Sequence, residues 1–298
     1  MIKVRLELTM GRKKYIKNLA KSSMKITESG KLKIDKNRKI DLTPYIKDSV
    51  DKTVISRLIG IISKETVAVD VTDMRCGSTN VMMPEVHIAN AIYNPDAPIN
   101  ERPTIGITIP KSKALEIFDF LDSGCTGEVL RVSTLASVYK QVKPLWVDLN
   151  KDDPSSESNI MFVPDVLFFI DLKTGKPSKN PFKANVLITA VPSKKHMTSD
   201  KTTSEEITDE AAVAKIIGDT VDAAIKLGVK ELIIDPLSCK FLKKNVDTVG
   251  YEWEKIISSQ RVMENMKEIH FSLTNDESFV RFTAARRRTS YGRMEDHE

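Results

Sequence analysis

Residues 211–245 read AAVAKIIGDTVDAAIKLGVKELIIDPLSCKFLKKN. Ala212, Ile216, Val221, Ala224 and Ile225 recur at helical spacing, with Thr208-Asp209 as the expected cap and Gly228 as the stop. KELIIDP is then a buried strand, and the residues after it form a polar, lysine-rich loop. In α/β proteins ligands sit at the carboxyl ends of strands, so a binding site is expected at 236–245.

The pattern extends in both directions. TIGITIP (104–110) and NVLITAVP (185–192) are short buried strands, and IMFVPDVLFFIDL (160–172) is a strand pair or bent strand interrupted at Pro164-Asp165. KSKALEIFDFL (111–121), EVLRVSTLASVYK (128–140) and VGYEWEKIISSQ (249–260) carry helical periodicity, and KEIHFSLT (267–274) is a last strand. KTGKPSKNPFK (173–183) reads as an exposed loop, and 76–102 as a proline-containing loop over the core. From Thr104 onward, strands alternate with helices, which predicts a three-layer α/β domain with a mostly parallel sheet.

Upstream, Tyr45 to Ile62 has helical spacing, followed by a strand in ETVAVDVTD (65–73). MIKVRLELTM (1–10) alternates apolar and polar residues, a strand pattern. The expected organisation is a basic extension over 1–50, an α/β domain over 51–283, and a charged, disordered tail over 284–298.

Composition is that of a globular chain: 298 residues, 41% hydrophobic and 29% charged. No run of about 18 apolar residues is present, so no membrane span is expected. Three scattered cysteines make neither a disulfide framework nor a zinc pattern, and the expected compartment is the reducing cytoplasm. Residues 1–50 carry 14 Lys/Arg against 5 acids, a net +9, while the remaining 248 residues sum to −4. Such a segment is either a solvated extension or an arm for nucleic acid or another polyanion. With only Tyr15 and Tyr45 in it, it is no base-stacking platform.

No Gly-rich nucleotide fingerprint, P-loop, HExxH or GxSxG occurs, which removes the simplest dinucleotide, NTPase, zinc-protease and hydrolase readings. The four histidines are scattered; His270 lies in a strand pattern and reads as structural. No metal and no cofactor is expected.

Three blocks carry a family resemblance. GEVLRVSTL (127–135) is similar to a QEE-containing block, and NIMFVPDVLFFID (159–171) to an apolar-Pro-Val-apolar strand. NVLITAVPS, the 211–228 helix and LIIDPLSCKFLKKN resemble a strand, helix and strand that end in a Gly-Cys-Gly-Val-Phe-Gly-Asn loop. Together they resemble the microbial-type poly(ADP-ribose) glycohydrolases, a branch of the macro-domain fold, over about two-thirds of the chain. The resemblance implies a macro-domain-like α/β fold with a mostly parallel mixed sheet. It also implies ADP-ribose or a related nucleotide as ligand. Carried over by position, Glu128 is the candidate catalytic acid. Thr126, Gly127, Arg131, Ala190, Ser238, Cys239, Lys240, Phe241 and Asn245 are the candidate ligand-binding residues.

The departures fall on the diagnostic residues. KALEIFDFLDSGCTG (113–127) lacks the family's glycine triplet, and TGE stands for QEE. Ser238 and Lys240 replace the glycines that flank the cysteine. Glycines there let backbone N–H groups approach a diphosphate with no Cβ in the way. Glycoside cleavage also needs a carboxylic acid to protonate the leaving oxygen. Three readings stay open: nucleotide binding with little or no hydrolysis, a non-enzymatic scaffold using its basic arm, and an active glycohydrolase with Glu128 as acid.

Overall fold

The computed structural model describes residues 2–58, 70–75, 98–99, 102–115, 125–151, 156–171, 174–194, 197, 207–273 and 276–295. At 2–13, 70–75, 125–126 and 289–295 it describes the backbone alone. Of the 76–102 loop, only 98, 99 and 102 fall among the described residues.

The chain opens with helix α1 (Ile2–Ser29), where the alternation in 1–10 predicts a strand. Downstream, Leu19, Ala20 and Ser23 are buried along one helical face. A helix nucleated there propagates cheaply toward the amino terminus, outweighing a short alternation. Gly30, at φ 63°, closes α1 as a left-handed C-terminal residue, its N–H bonded to Ile26 O at 3.0 Å. A small hairpin follows, β1 (Lys31–Lys33) and β2 (Lys39–Asp41).

The helix expected over 45–62 is shorter. α2 (Thr43–Lys52) ends at extended Thr53, and Val54–Arg57 form β3, antiparallel to the start of β6 (Asn159–Asp171). β-Branched Val54 and Ile55 suit that pairing, and the partner strand decides the matter. After β4 (Asp70–Arg75) and β5 (Thr104–Pro110) the chain makes a 3₁₀ turn at Lys111–Lys113.

The helix predicted over 128–140 is two helices, α3 (Cys125–Val132) and α4 (Leu135–Asn150). The break has a local cause. Ser133 Oγ donates to Val129 O (2.6 Å), while Thr134 N donates to Leu167 O (2.9 Å) and its Oγ1 accepts from Leu167 N (3.1 Å). These two residues leave the helix to pair with β6.

β6 is one bent strand, offset at Val163/Val166, where Asp165 adopts φ 55°. The turn at Gly175 (φ 65°) leads into β7 (Lys176–Val191). KPSKNPFK, expected as a loop, is therefore the first half of β7, paired with the far end of β6. Helix α5 (Asp209–Lys226) starts on Thr208, whose side chain accepts from Ala211 N at 3.2 Å. β8 (Glu231–Ile234), α6 (Lys240–Lys244), α7 (Val246–Ile257), α8 (Gln260–Asn265) and β9 (Glu268–Leu273) follow.

The seven-stranded sheet has the order β3-β6-β7-β5-β8-β9-β4. β7, β5, β8, β9 and β4 are parallel neighbours, while β3 and β6 pair antiparallel. Both faces are covered, giving three layers. One core holds Ile105, Ile107, Leu130, Leu135, Trp146 and Phe169; the other holds Leu187, Ile216, Val221, Leu232, Trp253 and Phe271. Leu19, Leu32, Leu42 and Ile46, from the basic first 50 residues, belong to the first core.

The expected disordered tail is instead part of α9 (Asp276–Glu295), which continues through 284–295; residues 296–298 lie outside the described set. Few apolar residues hold it. Phe282 is fully buried and meets Phe271 edge-to-face at 5.1 Å, and Phe271 meets Trp253 at 4.8 Å. Gly250 of α7 lets α9 come close, since a Cβ there would stand 2.6 Å from Phe282 O. Arg286 reaches Glu254 at 3.1 Å and lies over the Phe271 ring.

Candidate functional site

The candidate site is at the exits of β7, β5 and β8. Helices α3 and α4 connect β5 to β6 across one face, and α5 carries the chain from β7 across the other face to β8. The two connections diverge around β5, and such a switch point leaves a crevice outside the carboxyl ends of the strands. β8 ends in register with Gly106, four residues before β5 ends at Pro110. At roughly 3.3 Å per residue, β5 overhangs the end of β8 by about 13 Å.

The loop that follows β8 holds five of the sequence-derived residues. Asp235 Oδ1 accepts from Leu237 N (2.8 Å), and Ser238 N donates to Asp235 O (3.2 Å), a compact turn. Cys239 begins α6 in extended backbone, and its carbonyl accepts from Lys243 N at 3.0 Å. Asn245 joins two helices, with Nδ2 donating to Phe241 O (3.0 Å) and its carbonyl accepting from Val249 N (2.8 Å). Cys239 and Phe241 pack against the core. The Ser238 hydroxyl is buried without a hydrogen-bond partner among the described residues.

This loop needs no glycine. Among the described residues, Asp165 alone among non-glycines has positive φ. Ser238 and Lys240 therefore sit at ordinary backbone angles, and the segment winds into a short helix. No glycine occurs between Val229 and Val249, so the glycine cradle implied by the resemblance is absent from this loop's sequence.

Electrostatics single out a residue that no motif marks. Asp235 follows directly on β8, and burial pushes its carboxyl up to about 6, opposed by the Leu237 N–H and the Lys243 ammonium. The residue keeps some surface, yet the carboxyl group is enclosed. Burial also raises the Cys239 thiol, with Asp235 adding to the shift and the Leu242 and Phe241 N–H groups and Lys243 opposing it. A thiol held protonated is no nucleophile at neutral pH. Lys240, Lys243 and Lys244 are exposed, with no ion pair among the described residues. The sequence signal for Asp235 is its position, a carboxylate at the end of an apolar strand.

The other predicted residues are distributed around this loop. Ala190 lies fully buried one residue before the end of β7, paired with Ile109 of β5. The segment after it turns back toward α5, where Lys194 Nζ meets Asp209 at 2.7 Å. Thr126, Gly127, Glu128 and Arg131 are all in α3, which packs on α1, β6 and α4. Glu128 occupies the first turn, where a carboxylate complements the helix dipole, and is partly buried. Arg131 is 1% exposed, and its carbonyl accepts from Ser23 of α1. It has almost no surface to offer a ligand in this arrangement.

A separate groove of about 550 Å³ is lined by Val50, Ile55, Val142, Leu145 and Leu149. It lies at β3, with β6 and β7 between it and β5, and none of the predicted site residues lines it.

No protein-family model matches the sequence, and no curated protein matches it significantly. The fold does have solved counterparts. Poly(ADP-ribose) glycohydrolase from Thermomonospora curvata superposes with TM-score 0.63 at 16% identity, covering 92% of this chain and 98% of its own. The same enzyme bound to the inhibitor ADP-HPD matches at TM-score 0.63 and 14% identity, with the same coverage. The Deinococcus radiodurans enzyme in complex with ADP-ribose matches at TM-score 0.56 and 12% identity, over 84% of this chain and 98% of its own. The chain has the macro-domain-like fold of the microbial poly(ADP-ribose) glycohydrolases, as the three sequence blocks implied.

Proposed function

We propose that the chain binds ADP-ribose or a related nucleotide at the β5–β8 crevice, with glycohydrolase activity weak or absent. The observation that carries this is the 235–245 loop at the carboxyl end of β8. It combines a buried hydroxyl with no hydrogen-bond partner among the described residues, an enclosed carboxyl and three exposed lysines, in a fold shared with proteins whose structures hold ADP-ribose. Lysine ammonium groups attract a diphosphate by charge, in place of a backbone cradle. The helical form of the loop and the burial of Arg131 favour binding over catalysis. Glu128 remains the carboxylate assigned to an active glycohydrolase.

A thermal-shift titration tests this. ADP-ribose is expected to raise the melting temperature progressively through linkage. Lys240→Glu with Lys243→Glu is expected to weaken the response about tenfold or more, since removing one close charge pairing costs on the order of 1 kcal/mol. Glu128→Gln is expected to leave it unchanged. No shift at millimolar ADP-ribose contradicts the reading. Release of ADP-ribose from a modified substrate, abolished in Glu128→Gln, establishes the active alternative.

A polyanion interaction through residues 1–50 rests on its own observation. Lys14, Lys17, Lys21 and Lys25 are exposed along one stripe of α1, opposite the buried Leu19, Ala20 and Ser23. The stripe spans roughly 16 Å of helix at 1.5 Å per residue. Binding to a single-stranded polyanion should weaken with salt, with a log–log slope of about 0.7 for every phosphate neutralised. Lys17→Glu, Lys21→Glu and Lys25→Glu together are expected to flatten that slope without lowering the melting temperature. An unchanged slope makes the stripe a solvated face.

A further inference from the structure

We propose that Glu231, Glu268 and His270 form a site for a divalent transition-metal ion of the zinc class, at the amino-terminal ends of β8 and β9. The parallel register builds it from residues far apart in sequence. Glu231 stands directly opposite Glu268 on the neighbouring parallel strand, so two acidic residues lie side by side. Like charges in direct cross-strand register repel one another, and a cation relieves that cost. His270 is two residues beyond Glu268 and so shares its face of the sheet.

The donor atoms already stand near coordination geometry. His270 Nε2 is 2.9 Å from Glu268 Oε2 and 3.4 Å from Glu231 Oε1, and one donor atom from each residue falls within 4.8 Å of the others. Tetrahedral zinc with metal–ligand distances of about 2.1 Å spaces its donors by roughly 3.4 Å. Only small side-chain shifts separate the cluster from a bound state.

The burial gradient also suits an ion site. The His270 side chain is 9% exposed, Glu231 19% and Glu268 46%, so the cluster is enclosed at the imidazole and open at one carboxylate. That leaves a path for the ion and room for a water ligand. An imidazole with two carboxylates selects zinc-like ions over calcium or magnesium, which prefer all-oxygen shells. Lys230, the residue before β8, donates its ammonium to Asn265 O at 2.9 Å. The site lies at the opposite end of β8 from Asp235, so its action is to clamp β8 to β9, not to supply chemistry at the crevice.

The test uses the full chain equilibrated by dialysis against Zn²⁺, with bound metal counted, and Co²⁺ as a spectroscopic probe. One ion per chain is expected, with a Co²⁺ spectrum of nitrogen and oxygen ligation and a metal-dependent rise in melting temperature. Glu231→Gln and Glu268→Gln are each expected to weaken binding at least about tenfold. Without metal, both variants should melt at or above the wild-type temperature, because each removes a like-charge repulsion; this separates lost ligation from misfolding. Absence of binding at tens of micromolar free Zn²⁺, or binding undiminished in the two glutamine variants, overturns the proposal.

Discussion

Replacing Asp165 with alanine is expected to cost about 3–5 kcal/mol of unfolding free energy, as for removal of one partner from a buried charge pair. Asp165 is 2% exposed. Its carboxylate holds Arg102 and, at 3.1 Å, Lys52. Its backbone carbonyl accepts from Ser49 Oγ at 3.2 Å, and its N–H donates to Asn185 Oδ1 at 3.3 Å. Lys183 lies in the same neighbourhood, its pKa lowered first by burial and further by Arg102 and Lys52. Without the carboxylate, these cations face one another. Arg102 is the more enclosed of the two partners, and the half-exposed Lys52 contributes less because water screens it. Alanine at φ 55° adds backbone strain of about 1 kcal/mol or more. Asp165→Asn, which tolerates that backbone region, should lose less. Urea denaturation measures both; an Asp165→Ala loss under about 1 kcal/mol, small beside the expected cost, contradicts the assignment.

Asp235→Asn is expected to act in the opposite direction. A carboxyl whose pKa is raised on folding, here to about 6, favours the folded state while protonated. That stability is fully present below the unfolded pKa of about 3.9 and is lost as pH rises through about 6. At pH 7.5 the buried carboxylate therefore costs up to about 3 kcal/mol, less in so far as the residue's partial exposure admits water. Asparagine keeps an oxygen for the Leu237 N–H and carries no charge. The variant should be more stable than wild type at pH 7.5, with the difference closing near pH 4. Equal stability at pH 7.5 would place the carboxylate in water. Retaining a destabilising acid at the mouth of a crevice is the kind of compromise that ligand sites impose on stability.

The layered α/β order was legible from Thr104 onward, because buried strands and capped helices announce themselves through period and punctuation. Thr208, Asp209 and Gly228 mark the limits of α5 as the sequence predicts. The structure departs from the local pattern where tertiary partners overrule it. Ser133 and Thr134 break a continuous helical period to bond β6. Arginine-rich α9 is held by Phe282, the close approach at Gly250 and Arg286. KPSKNPFK looks like a loop, yet it pairs with β6.

The site divides in the same way. The 235–245 loop was legible because it follows an apolar strand. The elevated carboxyl of Asp235 was not, since enclosure depends on how the loop folds over it. The Glu231–Glu268–His270 cluster was invisible because only the β8–β9 register brings those residues together.

Amide hydrogen exchange with and without saturating ADP-ribose reads where the ligand orders the backbone. Slowed exchange is expected in 190–193 and 235–245, with the α2–β3–α4 groove unchanged. Unaltered exchange across 235–245, or protection confined to the groove, would contradict binding at the β5–β8 crevice.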